Sequence, residues 1–81
     1  MLTVTNQIKA ARALLGWGQF ELCKRAGVSI STIRRLEASE GFIEAHYGTV
    51  VKVCDALKCA GIHFIDGPNY GVQLTNREGS L

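Results

Sequence analysis

At 81 residues, with 47% apolar and 20% charged side chains, the chain has the composition of one small globular domain with a single modest core. Its net charge of +2 conceals an asymmetry: six Lys or Arg meet two acids from Met1 to Glu37, leaving +4, whereas the remainder has three bases and five acids, leaving −2. No apolar run approaches the roughly 20 residues that cross a bilayer, and nothing at the N-terminus reads as a secretory leader. Three cysteines without close pairs read as reduced thiols, so the expectation is a cytoplasmic protein without a disulfide framework.

In chain order, the first predicted helix runs from about Thr5 to Leu15, with Ile8, Ala11 and Leu15 facing inward and Gly16 ending it. Trp17 is expected to pack over that corner. A second, shorter helix covers Gln19 to Ala26, with Leu22 and Ala26 four apart on one face and Glu21, Lys24 and Arg25 on the other. Gly27 is suited to the left-handed conformation that stops a helix, and Ser29 to capping the next one. In that third helix Ile33 and Leu36 form the buried stripe, leaving Ile30, Ser31, Arg34, Arg35 and Ala38 outward. Two short helices crossing steeply about a tight turn require a small residue at the crossing, and Cys23 sits there. This is the arrangement of a helix-turn-helix.

The segment from Ala38 to Tyr47 has little periodicity and reads as a loop anchored by Phe42 and Ile43. A fourth helix, about His46 to Ala60, places Val50, Val53, Cys54 and Leu57 on its apolar stripe before Gly61. The period then changes: Ile62, Phe64, Val72 and Leu74 alternate with more polar positions on either side of Asp66-Gly67-Pro68-Asn69, which predicts a β-hairpin. Two strands alone are barely stable in water, so the hairpin must pack on the helices or pair with a second chain, and pairing between chains is the preferred expectation. The resulting organisation is a helical domain over residues 1–61, a β element over 62–75 that is a candidate for dimerisation, and a frayed tail over 76–81.

Gln19, Leu22, a small residue at Cys23, Ala26, Gly27, Val28, Ile33, Leu36 and Glu37 occur here in a characteristic order. They are preceded by Ile8, Arg12, Leu14, Leu15 and Gly16 and followed, more weakly, by Val50, Ala56, Leu57 and Gly61. In these positions the chain resembles the phage-repressor and Cro-like helix-turn-helix regulators, the xenobiotic-response-element family, over roughly its first two thirds. The resemblance implies a mainly α, lambda-repressor-like bundle of about four helices, here with a short C-terminal β-hairpin where many members continue with another helix. It also implies that Arg12 and Glu37 form a structural ion pair setting the angle between helices, so that Glu37 is no base reader.

A helix start with nearby hydroxyls and amides suits phosphate, which fixes register without reading sequence. Gln19, Ser29 and Thr32 are the candidate phosphate contacts; the resemblance implies that Gln19 also braces the reading helix, while Gln19 is alternatively a plain surface amide, and Ser29 a plain N-cap. For bases, Ser31 and Arg35 lie four apart on the outward face, flanked by Ile30 and Arg34. An Arg fork matches the O6 and N7 acceptors of guanine, and Ile30 can offer an apolar contact to a thymine methyl. Against this, adjacent arginines on a helix also serve as phosphate clamps or a solvated surface. Gly18 departs from the Ser or Thr expected as the cap of the second helix, and Glu40 and Glu44 place negative charge after the reading helix. Both point to modest, salt-sensitive affinity.

No arrangement of Ser29, Ser31, Ser39, His46 or His63 reads as catalytic, and no glycine-rich phosphate cradle is present, so neither enzymatic activity nor a cofactor is expected. Cys54, Cys59 and His63 form a weak alternative metal set, set against ordinary core packing. The expected function is sequence-specific binding of double-stranded DNA by a homodimeric transcriptional regulator, a repressor acting by occupancy. The alternatives are an antitoxin-type regulator that binds a toxin and its own operator, and a protein-interaction module with incidental DNA contact.

Overall fold

The computed structural model describes residues 2–75 and is a mainly helical domain of four helices followed by a two-stranded antiparallel hairpin. The elements are α1 (Thr5–Leu15), α2 (Gln19–Ala26), α3 (Ile30–Ala38), α4 (Tyr47–Cys59), β1 (Ile62–Ile65) and β2 (Gly71–Leu74). Residues 76–81, expected to fray, lie outside the described residues. No described helix is long and apolar enough to cross a membrane.

Helix boundaries follow local chemistry. α1 ends at Gly16 and α2 at Gly27, both in the left-handed region (φ 71° and 72°), where a Cβ would be strained. Gly18 caps α2 without a side-chain hydrogen bond, whereas Ser29 caps α3 by accepting the Thr32 N–H at 3.1 Å. His46 and Ala60, expected as the ends of α4, flank it as caps.

One core joins all the elements. Ile8 and Ala11 of α1, Leu22 and Ala26 of α2, Ile33 and Leu36 of α3, and Val50, Val53, Cys54 and Leu57 of α4 are buried together with Leu2, Ile62 and Phe64. The hairpin is therefore part of the helical domain's core. Its strands pair within the chain in the register Ile62↔Leu74, His63↔Gln73, Phe64↔Val72 and Ile65↔Gly71. Residues 66–70 make the turn, which includes a cis Gly67–Pro68 peptide. Ile62 and Phe64 turn inward while His63 and Ile65 are exposed, the alternation the period-2 pattern predicts.

Gln7 is the fastener between helices and hairpin. Its side chain is 2% exposed, yet all its hydrogen-bonding roles are met. Oε1 accepts from the Thr3 and Val4 N–H groups at 2.8 and 3.0 Å, and Nε2 donates to the carbonyls of Ile65 and Gly71 at 3.1 and 3.0 Å. The N-terminal strip also bridges the loop after α3: Val4 pairs with Phe42, Thr5 N donates to Gly41 O, and Ile43 N donates to Thr3 O. Ile43 packs on the core, whereas Phe42 ties the loop to Val4 through its backbone while its side chain remains 64% exposed, edge-on to Tyr70 with ring centroids 6.1 Å apart.

Candidate nucleic-acid interface

Three residues from three helices fix α3. Arg12 of α1 reaches Glu37 of α3 with two parallel bonds, Nε to Oε2 and Nη2 to Oε1, each 2.7 Å, and Gln19 of α2 donates from Nε2 to the same Oε1 at 3.1 Å. Arg12 Nη1 also donates to the Trp17 carbonyl at 3.0 Å, which ties the α1–α2 corner into the set. Glu37 is 5% exposed and would be costly there without these partners. Burial pushes its carboxyl up, but the hydrogen bonds from Arg12 and Gln19 and the charges of Arg12 and Lys9 outweigh burial and hold it below the usual carboxylate range. The Glu37 hydrogen bond correspondingly raises the Arg12 guanidinium, against a smaller opposing effect of burial. The two residues that the resemblance pairs are thus in direct contact, one from α1 and one from α3.

With Glu37 turned inward, the opposite face of α3 is left to solvent. Ser31, Arg34 and Arg35 are exposed on it, and Ile30 is half-buried beside them. Neither Arg34 nor Arg35 has an acidic partner within ion-pair distance among the described residues, whereas Lys24 and Arg25 on α2 share Glu21, at 3.5 and 2.6 Å. The Arg25 hydrogen bond is the main reason the Glu21 carboxyl lies below its ordinary range. Arg25 also sits over the Trp17 ring, 4.9 Å from its centroid, so Lys24 and Arg25 are committed to local surface contacts.

Of the three candidate phosphate contacts, Gln19 spends an N–H on Glu37 and thereby braces α3. Ser29 and Thr32 are engaged with each other at the start of α3, their hydroxyl oxygens 2.9 Å apart. Arg35 lines a depression of about 220 Å³ with Thr32, Leu36, Glu44, Ala45, His46 and Thr49, so Glu44 does lie beside the cationic face. Among the described residues, no three His, Cys, Asp or Glu side chains are grouped so as to hold a metal ion; Cys54 is buried and Cys59 exposed.

One feature at this face is not among the residues singled out from the sequence. Phe20, the second residue of α2, is 68% exposed and lies under the Arg34 guanidinium, 6.0 Å from ring centroid to Cζ. Its spacing from Leu22 and Ala26 already puts it off the buried stripe, which was the available signal for an exposed aromatic. The bracing of α3 by Gln19, which the resemblance implies, runs through Glu37, a partner that is visible only once α2 and α3 are folded together. Comparisons with protein-family models, with curated proteins and with solved structures give no match to this chain.

Proposed function

We propose that this chain is a lambda-repressor-like helix-turn-helix protein that binds double-stranded DNA in a sequence-specific manner, acting as a homodimeric transcriptional regulator that represses by occupying its site. The observation that carries the reading is the outward face of α3. It bears Ser31 and two arginines that have no acidic partner among the described residues, on a helix fastened from behind to α1 and α2 by the Arg12–Glu37–Gln19 set. Such a helix can enter the major groove as a rigid body, with Arg forks available for guanine and Ser31 for either donor or acceptor edges. Gln19, Ser29 and Thr32 border its start, where backbone phosphate is met.

Dimerisation is proposed through β2. The Gly61–Thr75 backbone bond and the antiparallel register turn the backbone groups of Val72 and Leu74 away from β1. This edge has no charge or proline to guard it against pairing. A two-fold axis through Gln73 would set Val72 opposite Leu74 of a second copy, and vice versa, satisfying both. A second reading, docking of a protein partner, draws support from the exposed Phe42 and Tyr70 ring pair, 64% and 41% accessible.

Selection from a random duplex pool at near-physiological salt tests the main reading. Enrichment of an inverted repeat with half-sites about one helical turn apart, near 34 Å, is expected. Recovery of no preferred sequence by folded protein would refute it and favour partner docking. Sedimentation of Leu74→Lys separately tests the edge: it should shift the dimer to monomer without loss of helical signal.

A further inference from the structure

Phe20 is a large apolar side chain, 68% exposed, that neither the core nor the ion-pair set uses. Its ring faces the guanidinium of Arg34, which has no ion-pair partner among the described residues. A guanidinium held over an aromatic face keeps its full charge, and its in-plane N–H donors remain free to form a fork with a base. Arg35 differs, because it borders the depression that also contains Glu44.

We propose that Phe20 is a positioning and specificity-determining residue: its ring presets Arg34 on the outward face of α3 to read one guanine in the major groove. The inference rests on the DNA-binding reading above and adds to it which arginine discriminates and what holds it. An unrestrained Arg loses substantial rotamer freedom on docking, and a ring beneath it removes part of that loss before DNA arrives. The ring is on α2, so correct placement depends on the α2–α3 geometry that Arg12, Glu37 and Gln19 maintain.

The test starts from the duplex selected by the wild-type protein. Dissociation constants are measured for that duplex and for versions in which each G·C pair of a half-site is changed to A·T. The proteins compared are wild type, Phe20→Ala, Phe20→Leu, Phe20→Tyr, Arg34→Ala and the Phe20→Ala/Arg34→Ala double variant. Because Phe20 is exposed, all should unfold within a few degrees of wild type, which thermal melts check. Phe20→Ala and Phe20→Leu are expected to reduce discrimination about threefold to tenfold at the single position where Arg34→Ala abolishes it. Phe20→Tyr should retain discrimination, and the double variant should be no worse than Arg34→Ala. Uniform weakening at every position, full rescue by leucine, or additive effects in the double variant would overturn the role of Phe20 while leaving DNA reading intact. Failure of the wild-type protein to select any sequence would overturn both.

Discussion

Replacing Gln7 with leucine keeps the side-chain volume roughly constant and removes four hydrogen bonds at once. Each is worth about 1 kcal/mol net, so their loss amounts to about 4 kcal/mol, and more wherever a stranded partner stays dry. Oε1 serves two N–H groups in the part-buried N-terminal strip and Nε2 serves two carbonyls across the end of the hairpin. Water can reach some of these groups after the change, and leucine adds apolar burial, so about 3 kcal/mol is the expected net loss. A domain of this size has a total stability of about 4–12 kcal/mol, and the melting temperature should fall by about 12–24 °C. Urea unfolding followed by circular dichroism gives the free energy, and amide exchange locates it: protection should fall first in β1 and β2. The adjacent exposed Asn6, replaced by leucine, serves as the control. A loss below about 1 kcal/mol, or one no larger than that of Asn6→Leu, would refute the view that Gln7 fastens the hairpin to the helices.

Arg12→Met should destabilise by about 2–4 kcal/mol, because it strands the buried Glu37 charge, and Arg12→Met/Glu37→Met should recover part of that loss; chemical denaturation of the two variants decides. Since the folded Glu37 carboxyl is held below its unfolded value, its contribution is present above about pH 4.5 and lost as pH falls through the folded value. Glu37→Gln should accordingly be less stable than wild type at pH 7, with the gap narrowing below that point in a pH series of unfolding curves. Gly27→Ala places a Cβ at φ 72° and should cost about 1–2 kcal/mol, whereas Gly18→Ser should gain a few tenths by supplying the missing cap, about 0.3 kcal/mol; opposite shifts in thermal midpoint are the check.

Local punctuation made most of the architecture legible in the sequence. Gly16, Gly27, Ser29 and Gly61 mark helix ends by backbone geometry or capping, effects that act within a few residues and need no tertiary context. The turn formers from Asp66 to Asn69, set between alternating apolar residues, placed the hairpin in the same way. The Arg12–Glu37 pair was visible only through resemblance, since residues 25 apart give no local sign of meeting. Gln7 was hidden for a stronger reason. Glutamine near a helix start usually faces solvent, and its four partners come from the N-terminal strip and both strands of a distant hairpin. Phe42 is legible as an anchor of the loop but not in its manner of anchoring: the bridge to Val4 uses its backbone and leaves the ring 64% exposed.

The Gln7 clasp also sets a timetable for synthesis. Arg12 and Glu37 emerge from a ribosome 25 residues apart, so the three helices behind the proposed reading face can assemble while the rest of the chain is still being made. Gln7 must wait 64 residues for Gly71, roughly 3–13 s at ordinary elongation rates. Until then the start of α1 has an amide without its carbonyl partners, and the core lacks Ile62 and Phe64. A nascent chain interrupted before the second strand would carry a formed α3 on an open core, a state recognisable to proteases. Closure of the clasp is thus a late checkpoint, passed only when both strands of the hairpin have been translated.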